Sequence, residues 1–184
     1  ADNTSAENHC TIFTLSESPL DENMIWVGTD DGNLQVTTDG GKTWTNTGLK
    51  DGLQVGGLAI DPKNENRVFA AVLGHPYGPN PERGVYRTTD GGKKWEKVLY
   101  KDENTGAIQV VIDPVNPNIV YADMWAGRQG PWENGAWNGM HGGIFKSSDG
   151  GATFQQLAGR AAQTIWGRVR ALTPDGFEPA TVLA

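Results

Sequence analysis

The chain has 184 residues, a formal net charge of −7 and a pI near 4.9, and this acidic balance argues against a nucleic-acid partner. The sequence has no apolar run long enough to span a membrane, and its single cysteine, Cys10, excludes an intrachain disulfide. Its 25 glycines and 10 prolines predict many tight turns within a domain large enough to bury a core.

Short strands separated by turns predict three four-stranded antiparallel units in chain order. The first unit covers about residues 11–47, the second about 56–99 and the third about 107–157. Each begins with a strand, a turn rich in Pro, Asp and Asn, and a second strand, as in residues 57–70 and 110–122. A fourth unit, residues 165–184, has two strands. The whole chain, 1–184, is therefore predicted to be a single domain of about three and a half repeated units.

The third and fourth strands of each unit are joined by a motif, (Ser/Thr)-x-Asp-Gly-Gly-x-x-(Trp/Phe), which occurs at residues 37–44, 88–95 and 147–154. Asp-Gly-Gly permits a positive φ, and the carboxylate and the hydroxyl can accept hydrogen bonds from N–H groups of the turn. The closing aromatic can pack between neighbouring sheets. Metal binding or catalysis by the aspartates is the alternative interpretation. The predicted structural residues are Asp39, Trp44, Asp90, Trp95, Asp149 and Phe154.

With these motifs the chain resembles the Asp-box (BNR) repeat β-propellers, which include sialidase-like proteins, xyloglucanase-type glycosyl hydrolases and sortilin-like (VPS10) ectodomains. The resemblance extends over nearly the whole chain and implies an all-β, propeller-like fold of four-stranded antiparallel meander blades. It does not specify an activity, because the group contains both enzymes and receptors. About three and a half blades cannot close a ring, so the resemblance implies a partial or rearranged propeller.

The order of strands in a meander predicts where a ligand site lies. The first and third turns of every blade lie at one end, here called the Asp-box face. The second turns and the inter-blade loops lie at the other end, the long-loop face, where a site is expected. Candidate binding residues in the long loops are His75, Tyr77, Arg83, Trp125, Arg128, Trp132, Trp137 and His141.

The tryptophans of the third-blade loop allow three interpretations. Their flat faces can stack on sugar rings, while neighbouring polar groups bind the sugar hydroxyls. Trp and Arg also dominate protein–protein hot spots. Alternatively, these rings form a small core that only holds the loop in place.

Glycoside hydrolysis requires two carboxyl groups on either side of the scissile bond. The candidate catalytic residues are Glu133, Glu82 and Asp123. No metal or cofactor is expected, because His75 and His141 do not occur at a spacing typical of metal ligands.

The preferred functional prediction is a carbohydrate-active protein, with glycoside hydrolase activity implied only by the resemblance. The alternatives are a non-catalytic sortilin-like module that binds a protein or peptide, and a self-assembling structural fragment. The incomplete blade at 165–184 would expose unpaired strand edges, so we expect a homo-oligomer that completes it. The start at Ala1 without Met predicts a secreted or periplasmic bacterial protein.

Overall fold

The computed structural model describes residues 11–75, 77–127 and 141–157. The first blade consists of β1 (Ile12–Glu17), β2 (Ile25–Thr29), β3 (Leu34–Thr37) and β4 (Thr45–Asn46). A short 3₁₀ helix (Lys50–Gly52) precedes the second blade, which consists of β5 (Val55–Asp61), β6 (Asn64–Val72), β7 (Gly84–Thr88) and β8 (Glu96–Leu99). The third blade consists of β9 (Gly106–Ile112), β10 (Val120–Trp125), β11 (Gly143–Ser147) and β12 (Gln155–Gln156).

Each blade is an antiparallel meander in which strands adjacent in sequence are also adjacent in the sheet. The predicted all-β fold of four-stranded, propeller-like blades is therefore confirmed. The incomplete blade predicted at 165–184 lies outside the described residues. Within the described part of the chain, no helix is long and apolar enough to cross a membrane.

The second blade is buried on both faces because its strand β6 alternates between two cores. Val68 and Val72 belong to a cluster shared with the first blade, together with Trp26. Phe69 and Ala71, which point the other way, belong to a cluster shared with the third blade. A strand buried on both sides must be apolar at successive positions, which explains the continuous run Val-Phe-Ala-Ala-Val.

The Asp-box turn contacts the first turn of its own blade in all three repeats. The backbone N–H of Gly40 donates to the carbonyl oxygen of Asn23 over 3.0 Å. The equivalent donors, Gly91 and Gly150, bind the carbonyls of Asn66 and Asn118 over 3.0 and 2.9 Å. First and third turns therefore share one end of each blade. The second turns and the inter-blade loops must lie at the opposite end.

Candidate functional site

The first Asp-box carboxylate is used within its own turn. Asp39 Oδ1 accepts the N–H groups of Lys42 and Thr43, each over 2.9 Å, and the hydroxyl of Thr37 over 2.7 Å. Its Oδ2 accepts the hydroxyl of Thr43 over 2.6 Å. These hydrogen bonds, led by the one from the Thr43 hydroxyl, lower the pKa of Asp39 to about 2. The carboxylate therefore stabilises the turn and remains ionised at neutral pH.

The other two copies repeat this arrangement. Asp149 accepts the hydroxyl and N–H of Thr153 and the hydroxyl of Ser147, and these bonds lower its pKa. Asp90 accepts hydrogen bonds from the N–H of Lys94 and the hydroxyl of Thr88, and these bonds lower the pKa of Asp90. No group of three His, Cys, Asp or Glu side chains in the described residues is arranged to hold a metal ion.

On the long-loop face, Arg83 is fully buried and joins three loops. Its Nη1 donates to the carbonyl oxygens of Gly127 over 2.9 Å and of Asn104 over 3.3 Å. Its Nη2 donates to the carbonyl oxygens of His75 over 2.8 Å and of Gly78 over 3.5 Å. The guanidinium thus connects the β6–β7, β8–β9 and β10–β11 loops. The hydrogen bonds of its two terminal nitrogens all go to backbone carbonyls.

The β6–β7 loop packs tightly around this arginine. Gly74 has φ +76°, and a Cβ there would lie 2.8 Å from Cγ of Arg83 and would overlap the side chain of Asn80. The backbone N–H of Asn80 also donates to the carbonyl oxygen of Glu103 in the β8–β9 loop over 2.8 Å. Burial lowers the pKa of Arg83, while the charge of Asp102 acts in the opposite direction. The second and third blades are therefore joined rigidly at this end.

An Asp–His pair lies at the same junction. Nδ1 of His141, at the end of the β10–β11 loop, is 2.5 Å from Oδ2 of Asp102 in the β8–β9 loop. Asp102 also accepts the N–H of Asn104 over 2.7 Å and the hydroxyl of Thr105 over 3.2 Å. Burial acts to raise the pKa of Asp102, but these hydrogen bonds outweigh it and the pKa lies below its usual value. The carboxylate holds the ring orientation of a histidine that is 53% exposed.

Tyr100, whose ring is exposed, precedes Asp102 by two residues in the chain. Burial and the charges of Glu103, Asp102 and Glu82 raise the pKa of its hydroxyl. Nζ of Lys97 lies 4.8 Å from the centre of the ring. An aromatic ring with a cation over it therefore lies near the start of the β8–β9 loop, where nearby carboxylates affect its pKa.

The candidate carboxyl of Asp123 occupies a different surface. Val120, Ala122 and Met124 of β10 pack into the core shared with the second blade, so the alternating Asp123 points to the opposite side of its sheet. Burial raises the pKa of Asp123 to about 6. Within the described part of the chain, no hydrogen bond or ion pair joins it to Glu82.

The other predicted residues are only partly placed. His75 and Tyr77 are half-buried in the β6–β7 loop, and Trp125 is half-buried at the end of β10. Arg128, Trp132, Glu133 and Trp137 lie outside the described residues, so the three interpretations of the tryptophan loop stay open. Sequence reasoning did not select Tyr100 or Asp102. The polar segment Asp-Glu-Asn-Thr between β8 and β9 is the sequence feature that could have indicated these two residues.

Comparison with known proteins gives a family and a group of relatives. The Sortilin-Vps10 family model, described as sortilin, neurotensin receptor 3, matches residues 32–180. A probable oligoxyloglucan-reducing end-specific xyloglucanase from Neosartorya fischeri is 34% identical over 91 residues, which cover 46% of this chain and 10% of the relative. A xyloglucanase from Hypocrea jecorina is 28% identical over 154 residues, which cover 76% of this chain and 17% of the relative. The chain therefore spans less than a fifth of the length of either enzyme.

A solved structure supports the same fold. The crystal structure of an ancestral GH74 enzyme superposes with a TM-score of 0.58 at 24% identity, covering 81% of this chain and 18% of that one. At this level of identity the similarity concerns the fold alone.

Proposed function

Because this chain belongs to the Sortilin-Vps10 family, whose fold carries both enzymes and receptors, we propose a function from its site rather than from its fold. The proposed function is binding of a xyloglucan-type carbohydrate on the long-loop face, at the junction of the second and third blades. The sequence similarity to two xyloglucanases supports the choice of carbohydrate.

The observation that carries the proposal is the arrangement of Tyr100, His141 and Asp102 beside the buried clamp of Arg83. An exposed aromatic ring offers a flat apolar surface to the C–H face of a sugar. His141 and the carboxylates offer donors and acceptors for its hydroxyl groups. Because Arg83 holds the three loops together, little conformational entropy is lost when a ligand binds.

Catalysis is a separate proposal. Hydrolysis requires two carboxyl groups roughly 5–10 Å apart, whereas Glu82 lies near Tyr100 and Asp123 lies on the outer side of the third blade. The raised pKa of Asp123 suits a general acid. Glycoside hydrolysis that involves Glu82, Asp123 or Glu133 stays a prediction, and binding is the function that the described residues support better.

A location outside the cytoplasm, secreted or periplasmic, would bring the protein to a polysaccharide of this kind. The alternative function is peptide binding on the same loops, as expected for a non-catalytic sortilin-like module. The two functions differ in their ligand, so one set of variants can test both.

The decisive experiment is calorimetric titration of the chain with xyloglucan oligosaccharides, with maltooligosaccharides as the control sugar. We expect Tyr100→Ala and His141→Ala each to weaken binding by about tenfold. The matched control Val115→Ala, at an exposed position on the Asp-box face, should bind like the wild type.

Three outcomes would contradict the proposal: no binding by the wild type, equal binding of maltooligosaccharides, or equal affinity for all variants. Saturable binding of a peptide instead of a glycan, weakened by the same two substitutions, would establish the alternative. Release of reducing ends from the glycan, measured in parallel, would show whether catalysis accompanies binding.

A further inference from the structure

A lysine lies between two tyrosine rings at the edge strand of the second blade. Lys97 of β8 is the sheet partner of Tyr86 on β7, and its Nζ lies 5.5 Å from the centre of the Tyr86 ring. The same atom lies 4.8 Å from the centre of the ring of Tyr100, the residue that directly follows β8. An ammonium within about 6 Å of a ring centre is attracted by the electron-rich face of the ring. One cation therefore contacts both aromatic side chains.

A backbone carbonyl also holds this ammonium in place. Nζ of Lys97 donates a hydrogen bond to the carbonyl oxygen of Pro81 in the β6–β7 loop. Pro81 and Glu82 directly precede Arg83, so the hydrogen bonds of Arg83 also fix this part of the loop. The position of the Lys97 head group is thus set by a carbonyl of a clamped loop and by a ring of the same blade.

Tyr86 is the buried end of this arrangement. It is 8% exposed and belongs to the core cluster shared with the first blade. Its hydroxyl donates to the carbonyl oxygen of Glu82 over 2.8 Å. Burial, with a further contribution from the charge of Glu82, raises the pKa of Tyr86 to about 12, so the hydroxyl remains a donor at neutral pH. The Tyr86 ring is therefore a fixed surface on which Lys97 packs.

Tyr100 is the exposed end, with 42% of its surface accessible to solvent. An exposed side chain loses rotational freedom when a ligand orders it, and this loss weakens binding. Because Lys97 lies over one face of the ring, the ring is ordered before a ligand arrives, and the opposite face is the one that a ligand can cover. The contacts thus extend from the core, through Tyr86 and Lys97, to Tyr100.

We propose that Lys97 is a positioning residue of the carbohydrate site. Its ammonium holds the Tyr100 ring by one face, and a sugar ring stacks on the opposite face. This role rests on the proposed function, in which Tyr100 contacts the glycan. Lys97 itself does not touch the sugar, so its contribution to binding depends entirely on Tyr100.

A double-mutant cycle on glycan binding tests this dependence. Calorimetric titration with xyloglucan oligosaccharides compares the wild type, Lys97→Met, Tyr100→Ala and the double variant. Methionine keeps a long apolar side chain and removes the ammonium. We expect Lys97→Met to weaken binding by about two- to fivefold, the size of one exposed cation–π contact. In the Tyr100→Ala background the same substitution should leave the affinity unchanged, because no ring is left to position.

Lys146→Met is the matched control. Nζ of Lys146 lies 5.6 Å from the centre of the ring of Tyr121, its sheet partner, directly before the third Asp-box. The variant removes the same charge and the same kind of contact at the other end of a blade, so it should bind like the wild type. Lys97→Arg keeps a cation that can stack on the ring, and it should restore most of the affinity lost in Lys97→Met.

A second measurement does not need the glycan. NMR relaxation of the Tyr100 ring in the isotope-labelled chain reports how strongly the ring is ordered on the picosecond to nanosecond timescale. We expect the order of the ring to fall in Lys97→Met and to stay at the wild-type level in Lys146→Met. A lysine that only stabilised the fold would leave the order of this exposed ring unchanged.

The outcomes separate the role of Lys97 from the proposed function. If the wild type does not bind the glycan, both the proposed function and the positioning role are wrong. If the wild type binds and Tyr100→Ala weakens binding, the proposed function stands, and an unchanged affinity of Lys97→Met overturns the positioning role alone. Equal losses of affinity on Lys97→Met with and without the Tyr100 ring, or an unchanged order of that ring, also overturn it.

Discussion

Nη1 of Arg83 donates a hydrogen bond to the carbonyl oxygen of Gly127 over 2.9 Å, although the two residues are 44 positions apart. This bond connects the second blade to the loop that leaves β10. With its other three carbonyl partners, Arg83 acts as a clamp for the long-loop face. A buried cation is compensated here by backbone dipoles, and its removal leaves several acceptors without a donor.

Replacing Arg83 by Met should therefore destabilise the protein by about 2–4 kcal/mol, because the side-chain volume is largely kept while the hydrogen bonds are lost. Urea unfolding measures this change. Arg83→Lys keeps the charge but not the planar fork, so it should fall between the wild type and Arg83→Met. Wild-type stability of Arg83→Met would show that the clamp contributes nothing to the fold.

Gly92→Ala should destabilise the protein more than Gly41→Ala does. The two glycines have nearly the same φ, +88° and +89°, so both substitutions carry a similar backbone strain of about 1–2 kcal/mol. Only the methyl group at residue 92 collides with Trp26 and Thr47, which adds about 1–3 kcal/mol of overpacking. Denaturant midpoints of the two variants give the difference, and equal midpoints would contradict the inter-blade contact.

Trp95→Phe should destabilise the protein by about 1 kcal/mol, since it removes the hydrogen bond to Thr47 and leaves most of the ring packing in place. The control is Trp44→Phe, because Trp44 bonds its own exposed turn. Trp44→Phe should lose less stability than Trp95→Phe, since water can replace an exposed hydrogen-bond partner. Thermal unfolding of the two variants under dilute conditions compares them directly. A larger loss of stability in Trp44→Phe than in Trp95→Phe would contradict this expected order.

Asp123→Asn should stabilise the protein at neutral pH. The carboxyl has a pKa of about 6 in the folded chain and an ordinary value of 3.8, so the folded state holds its proton more tightly than the unfolded state does. The free energy of unfolding therefore falls as the pH rises from about 4 to about 6, and the loss persists above that range. A shift of this size corresponds to up to about 3 kcal/mol.

Chemical unfolding of wild type and Asp123→Asn at pH values on both sides of this range measures the effect. The difference between the two proteins should be near zero at low pH and largest at neutral pH. Gln109→Glu is the control for burial, because it places a carboxyl group at an exposed position of the same sheet. Gln109 is the residue paired with Asp123 on the neighbouring strand. A difference that does not change with pH would show that the Asp123 carboxyl titrates normally.

The all-β fold could be predicted because its signals are local. Thr37, Asp39 and Thr43 form hydrogen bonds within a few residues of one another, so the motif alone predicts the hydrogen bonds of the turn. The alternation of apolar side chains then assigns the two faces of each strand, and the repeat shows that all blades follow the same pattern.

The candidate site could be predicted only as a face of the molecule. The meander order was enough to separate the long-loop face from the Asp-box face, and it directed attention to Arg83 and His141. It did not show that Arg83 is buried among loop carbonyls, nor that Glu82 and Asp123 lie on different surfaces.

The sequence by itself thus determined the repeated blade and its turns, because hydrogen bonds over three or four residues and strand alternation need no distant partner. Only the tertiary structure decided the clamp of Arg83 and the pairing of Asp102 with His141 across 39 positions. These features depend on which blade lies beside which loop. The position of a blade beside a loop arises from inter-blade packing, and no periodic pattern in the sequence indicates it.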